Sequence, residues 1–169
     1  MNYKDKDEKL IKSKDRVRKH AEVYTPEFIV NEMLDYCISE SGYDPFKDID
    51  ATFLEPAAGN GNFVVKILER KLVYAKTDDE KLRALKSIYA VELLPDNVAE
   101  MITRVRAIMA ANGITDGIDE IIARNIQQGD FLKMTHADGT DIVFYDWRDG
   151  TGYHTLRSML GKKEQQTLF

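Results

Sequence analysis

Short apolar runs alternate with longer segments of helical periodicity, and this alternation restricts the fold more than any other feature of the sequence. Four such runs predict strands, at about residues 51–54, 88–93, 121–127 and 141–145. The segments after the first two runs predict helices, which end near Leu72 and Gly113. Because such strands and helices form βαβ units, the sequence predicts an α/β fold with a parallel sheet between flanking helices.

The chain divides into three predicted segments, namely a basic arm at 1–20, a folded domain at 21–148 and a polar tail at 149–169. The arm is either a solvated leader or a contact for phosphate groups. Thr25 is predicted to cap a first helix that starts at Pro26 and ends before a glycine. The predicted apolar face of this helix contains Phe28, Ile29, Met33, Cys37 and Ile38.

The composition excludes several classes of protein. A net charge of −5 does not favour nucleic-acid binding through bulk charge. The single cysteine, Cys37, cannot form an intramolecular disulfide, which favours a reducing cytoplasm and a buried thiol. No apolar run approaches the length of a membrane span, and the histidines lack metal-ligand spacing, so neither a membrane protein nor a metal site is expected.

An acidic residue lies at or just past the carboxyl end of each of the four predicted strands. These residues are Glu55, Glu92, Asp130 and Asp146. One solvated carboxylate after a strand is common, but parallel strands place their carboxyl ends along one edge of the sheet, where ligands of open α/β folds bind. The sequence therefore predicts four carboxylates along one rim.

The first of these acids belongs to the stretch FLEPAAGNGNF, residues 53–63, which forms a predicted corner between strand and helix. Gly59 and Gly61 allow a sharp turn and a close approach to a ligand, and the following helix offers free N–H groups at its start. A dinucleotide fingerprint would need a third glycine where Val64 stands. The carboxylate of Glu55 would repel a pyrophosphate, but it suits a cationic amino group.

This corner resembles the cofactor loop of S-adenosylmethionine-dependent DNA methyltransferases of the N6-adenine class, whose signature is acid-Pro-x-x-Gly-x-Gly-x-Phe. Three further motifs of the family are matched in the order of its gamma arrangement, at Tyr24-Thr25-Pro26, Glu92-Leu93 and Asp130-Phe131. The resemblance covers about residues 20–147 and implies a Rossmann-like methyltransferase fold with a truncated sheet. The cofactor-binding residues that it implies are Tyr24, Thr25, Pro26, Glu55, Pro56, Ala57, Gly59, Gly61, Phe63, Glu92, Leu93, Asp130 and Phe131.

The resemblance also implies how these residues would hold S-adenosylmethionine. Glu55 and the loop that contains Gly59 and Gly61, the glycine loop, would face the methionine amino group. Thr25-Pro26 would lie near the methionine carboxylate. Glu92 would accept hydrogen bonds from both ribose hydroxyls. Asp130 would accept one from the adenine amine, and Phe131 would bound the adenine ring.

The sequence departs from the family at the end of the fourth strand. Family members carry Asn/Asp-Pro-Pro-Tyr/Phe there, which holds and stacks the flipped adenine. Asp146 and Trp147 supply an acid and an aromatic ring and are the candidate catalytic residues, but both prolines are absent. The alternative is an ordinary strand end with a packed indole.

The segment after the fourth strand supports two predictions about partners. Only residues 149–169 follow it, so strand four would lie near an open edge, which predicts a homodimer or a partner subunit. The chain ends in a peptide that resembles the Gln-x-x-Leu-Phe motif of proteins that bind the replicative sliding clamp, with Gln165, Leu168 and Phe169 in the matching positions. The alternative is a chance match.

Three functions fit these observations. The first is an N6-adenine DNA methyltransferase of a restriction-modification or phage system, which reaches DNA directly or through a partner. The second is a catalytically silent cofactor-binding or regulatory module that the clamp peptide recruits to DNA. The third is a small-molecule or protein methyltransferase, and the Tyr24-Thr25-Pro26 motif counts against it.

Overall fold

The computed structural model describes residues 10–20, 22–148 and 153–155. These residues fall into two compact units, which divide between Asp44 and Pro45. The first unit is helical, and the second contains every strand.

The first unit consists of helices α1 (Lys14–His20) and α2 (Glu27–Ser41). The predicted cap is wrong, because Pro26 occupies the N-cap position of α2 and no side chain caps the helix. The predicted end is confirmed, since Gly42 adopts φ 64° and its N–H donates to the Ile38 carbonyl at 2.9 Å.

The apolar face of α2 differs from the predicted one. Val30 and Leu34 are its buried residues, whereas Phe28 and Met33 are 54% and 49% exposed. The prediction of a buried thiol is also wrong, because Cys37 is exposed. Cys37 comes almost one turn after Leu34, beyond the buried part of the helix.

The second unit is built on a three-stranded parallel sheet of order β1-β2-β3. Its strands are β1 (Phe53–Glu55), β2 (Ile88–Glu92) and β3 (Ile126–Gln128). Glu55 pairs with Ala90, and Glu92 pairs with Gln128, so the carboxyl ends of all three strands lie at one edge. The helices of this unit are α3 (Asn62–Leu72), α4 (Asp78–Lys86), α5 (Pro95–Ala111) and α6 (Ile118–Asn125).

The predicted helices after β1 and β2 are confirmed, with their apolar faces buried. In α3, residues Val64, Ile67, Leu68 and Leu72 are buried. In α5, the residues Met101, Val105 and Met109 are fully buried. The predicted mixed α/β fold with a small parallel sheet flanked by helices is therefore confirmed at this level.

The helices α4 and α6 were not predicted. Helix α4 was missed, although Thr77 and Glu80 form a capping box at its start. The strand predicted at 121–127 is mostly helix α6, which buries Ile118, Ile121 and Ile122 and leaves three residues for β3. The i, i+3, i+4 spacing of these isoleucines is helical, whereas the β-branched side chains themselves favour strand.

The predicted fourth parallel strand is also wrong. Strand β4 (Val143–Tyr145) pairs antiparallel with β5 (Tyr153–Thr155) in a separate two-stranded sheet, and β5 lies in the predicted polar tail. A parallel crossover usually requires a helix. Residues 129–142 contain none and fold back through bridges of Thr135 to Asp130 and Asp141 instead.

Strand β4 runs opposite to the parallel strands. A Cβ on Gly129, just past the carboxyl end of β3, would lie 2.6 Å from Ile142, just before β4. After β4, the Trp147 indole N–H donates to Asn125, which precedes β3, at 2.8 Å. Strand β4 thus begins at the carboxyl edge of the parallel sheet and ends at its amino edge.

Candidate functional site

The glycine loop folds tightly against the end of β2. The Ala58 N–H donates to the Val91 carbonyl at 3.0 Å, and the Gly61 N–H donates to the Ala58 carbonyl at 2.9 Å. Both Gly59 and Gly61 have positive φ angles, of 54° and 87°. A Cβ on Gly61 would lie 2.6 Å from Cγ of Met101, so the loop approaches α5 at a distance that only glycine allows.

Glu92 joins the loop to the rim of the sheet. One carboxylate oxygen accepts the Gly59 N–H at 2.8 Å, and the other accepts the Leu94 N–H at 2.9 Å and the Asn97 amide at 3.4 Å. The side chain is buried, and these donors compensate its charge. A carboxylate has about four acceptor positions, so capacity for a ligand hydroxyl remains.

Glu55 ends β1 on the same rim. Its carboxylate accepts the Ala57 N–H at 3.3 Å, and burial raises its pKa above the ordinary value. Pro56 and Ala57 are exposed, and Phe63 in the first turn of α3 is half-buried. Gly61 is the N-cap of α3, and no side chain caps the helix.

Asp130 follows β3 on this rim. Its carboxylate pairs with the Lys133 ammonium at 3.0 Å and accepts the Lys133 N–H at 3.2 Å, which lowers its pKa. Phe131 packs against the buried cluster of Val91, Ile142 and Phe144, which makes it a partly buried core aromatic. Leu93, beside Glu92, is 51% exposed.

Helix α5 contributes contacts that sequence reasoning missed. Arg104 donates to the Asn60 carbonyl at 2.7 Å and to the Asn62 side chain at 2.8 Å. Glu100 accepts the Asn60 amide at 3.0 Å. Together with Asn97 these residues have the i, i+3, i+7 spacing of one helix face, and that spacing was the signal available in the sequence.

Tyr24, Thr25 and Pro26 belong to the first unit. Tyr24 is buried and its hydroxyl donates to Glu22 at 2.8 Å. Burial and this carboxylate raise the pKa of Tyr24 to about 12. Thr25 and Pro26 are half-buried. Their predicted role at the cofactor remains a prediction.

Asp146 and Trp147 do not share the rim with the other three acids, so the prediction of four carboxylates along one edge is wrong. Both residues line a cavity of about 400 Å³ together with Asp50, Arg83 and Lys86. Lys86 immediately precedes Ser87 and β2, which places this cavity at the amino edge of the sheet. The Asp146 carboxylate binds the Arg148 guanidinium at 2.8 Å. The cause is the reversed direction of β4.

Gln165, Leu168 and Phe169, the predicted clamp peptide, lie outside the described residues. Within residues 10–20, 22–148 and 153–155, no helix is long and apolar enough to cross a membrane. Nor does this part of the chain contain a group of three or more His, Cys, Asp or Glu residues that could hold a metal ion. Comparison with protein-family models, with curated proteins and with solved structures finds no match.

Proposed function

We propose that this protein binds S-adenosylmethionine at the carboxyl rim of its parallel sheet, in a Rossmann-like domain that resembles N6-adenine DNA methyltransferases. The observation that carries the proposal is the 2.8 Å hydrogen bond from the Gly59 N–H to Glu92. Two motifs that are 33 residues apart in sequence, the glycine loop and the acid at the end of β2, meet there in one unit of structure. This juxtaposition is what a nucleoside site at such a rim requires.

The charges along the rim fit this cofactor. Glu55 and Glu92 carry carboxyl groups and lie at the ends of neighbouring strands, with one exposed apolar side chain, Leu93, beside them. A sulfonium cofactor with an ammonium group presents positive charge, which two carboxylates attract. The same carboxylates would repel the negative charge of a pyrophosphate. Glu92 would receive a ribose hydroxyl on its remaining acceptor positions, and Glu55 would face the ammonium group.

The geometry favours a binding role over methyl transfer. The candidate catalytic pair Asp146 and Trp147 lies at the amino edge, and Arg148 and Asn125 occupy the polar groups of the pair. A catalytic acceptor must reach the amine that it serves, within about 3 Å or through one water. We therefore favour a catalytically silent, methyltransferase-like binding module, and recruitment to DNA through the C-terminal peptide is part of this proposal. Transfer to adenine in DNA is the second candidate, because the loop motif resembles that class.

A calorimetric titration with S-adenosylmethionine tests the proposal. Wild-type protein should bind it, and Gly59→Leu should weaken binding at least tenfold, because a side chain strains the positive φ and obstructs the loop. Gly113→Leu is the matched control, since Gly113 also has a positive φ but nothing lies within 4 Å of the position where its Cβ would be. Absence of binding by the wild type, or equal binding by Gly59→Leu, would refute the proposal.

A further inference from the structure

Arg104 and Glu100 hold one residue of the glycine loop from two sides. Arg104 donates to the Asn60 carbonyl at 2.7 Å, and Glu100 accepts the Asn60 side-chain amide at 3.0 Å. Glu100 and Arg104 stand one turn apart on α5, so a single rigid helix fixes both the backbone and the side chain of Asn60. All three residues are only partly exposed.

Arg104 also reaches the start of α3. The same guanidinium nitrogen that contacts Asn60 donates to the Asn62 side chain at 2.8 Å. Asn62 is the first residue of α3, directly after the N-cap Gly61. One cation thus spans the two residues that flank Gly61 and fixes the angle at which the loop enters the helix.

The same face of α5 holds the acid of the rim. The Asn97 amide lies 3.4 Å from Glu92, and Met101 occupies the space against Gly61. This face of α5 therefore contacts the acid Glu92, the loop at positions 60 and 61, and the first residue of α3. Helix α5 acts as a template on which the loop and Glu92 are assembled.

We propose that Arg104 is a positioning residue, which preorganises the glycine loop for S-adenosylmethionine without contacting the cofactor. This inference rests on the proposed function. Binding to a loop that is already ordered costs less conformational entropy than binding to a mobile one. Without Arg104 the loop carbonyl and Asn62 lose their shared donor, and we expect affinity for S-adenosylmethionine to fall about tenfold.

The experiment measures the Kd for S-adenosylmethionine of Arg104→Ala, Arg104→Lys, Asn62→Ala and the double variant Arg104→Ala/Asn62→Ala. Arg104→Lys should restore most of the affinity, because an ammonium group can donate to both oxygens. The double variant should bind about as well as Arg104→Ala, since the two residues share one interaction. Arg106→Ala is the matched control on the same helix, because Arg106 is about half exposed and pairs with Asp119 instead. Should Arg104→Ala not fold, Arg104→Gln takes its place.

The outcomes separate this inference from the proposed function. The inference fails if the wild type binds and Arg104→Ala binds with the same affinity. It also fails if the effects of Arg104→Ala and Asn62→Ala are strictly additive. Either outcome leaves the proposed function standing. Weakened binding in Arg106→Ala equal to that in Arg104→Ala would overturn it as well, because the effect would then be general to α5. No binding by the wild type would overturn both.

Discussion

At the scale of single residues, Lys71 is notable because a lysine is rarely fully buried. Its side chain is fully buried, and its ammonium donates to the Ala51 carbonyl at 2.6 Å and to the Asp48 carbonyl at 3.1 Å. It also lies 5.0 Å from the centre of the Phe53 ring. Burial lowers its pKa from 10.5 to about 8, although Asp48 and Asp50 act in the opposite direction. Lys71 thus fixes the turn that leads into β1.

This burial predicts a pH dependence of stability. The unfolded chain keeps the Lys71 proton up to pH 10.5, whereas the folded protein releases it near pH 8. Between these values the unfolded state binds more protons, so the free energy of unfolding should rise with pH, by about 2 kcal/mol from pH 8 to pH 10. Urea denaturation at several pH values measures the slope.

Lys71→Met should remove that slope, and Lys76→Met should keep it, because Lys76 is exposed. The series stops at pH 10, because Tyr24 and Tyr89 have pKa values raised from 10.0 to about 12. Above pH 10 the folded state keeps these two protons longer than the unfolded chain, so the free energy of unfolding falls with pH. A slope that is unchanged in Lys71→Met would show that another group is responsible.

Gly61 provides a second prediction at this scale. Gly61→Ala combines a positive φ with a Cβ placed 2.6 Å from Met101, and should lower the free energy of unfolding by about 2–4 kcal/mol. Gly113→Ala has a similar φ of 83° in open space and should cost only about 1 kcal/mol. Thermal unfolding of both variants separates the backbone strain, which both share, from the clash with Met101, which only Gly61→Ala has. Equal losses of stability in the two variants would contradict the close approach of α5 to the loop.

At the scale of elements, the sequence predicted those features that depend on residues close together in the chain. The glycines of the loop, the helix after β1 and the acid at the end of β2 were all located correctly, because each follows from a short, strongly patterned stretch. The direction of β4 was not, since it depends on the absence of a crossover helix between Gly129 and Ile142. The contacts of Arg104 were not predicted either, because apolar residues dominate the sequence pattern of α5.

Helix α4 offers a prediction about an element that was missed. Thr77 accepts the Glu80 N–H, and the Glu80 carboxylate accepts the Thr77 N–H at 2.9 Å. Thr77→Ala should therefore destabilise the protein by about 1 kcal/mol, which chemical denaturation can measure. Thr103→Ala is the comparison, since Thr103 is exposed within α5 and bonds only its own helix. A smaller loss in Thr77→Ala than in Thr103→Ala would contradict the importance of the box.

At the scale of the whole molecule, the prediction of a homodimer or partner subunit rested on an open edge at the fourth strand, and the structure does not support that reason. Strand β4 pairs with β5 and does not present an open edge on that side. Among the described strands, β1 pairs only with β2, and its Leu54 is 40% exposed. Strands β1 and β3 are both edges of the parallel sheet, and the exposed Leu54 makes β1 the edge at which we expect pairing. Light scattering at micromolar concentration should give a mass above one chain if the prediction holds, and a monomeric mass would count against it.

The most direct measurement is the titration of ¹⁵N-labelled protein with S-adenosylmethionine, followed by NMR. Two signals report on the two edges of the sheet, namely the Gly59 amide at the carboxyl rim and the Trp147 indole N–H at the amino edge. Binding at the rim predicts that the Gly59 signal shifts with saturation while the Trp147 signal stays in place. A shift of Trp147 without one of Gly59, or no shift of either, would contradict the assignment of the glycine loop and Glu92 as the cofactor site.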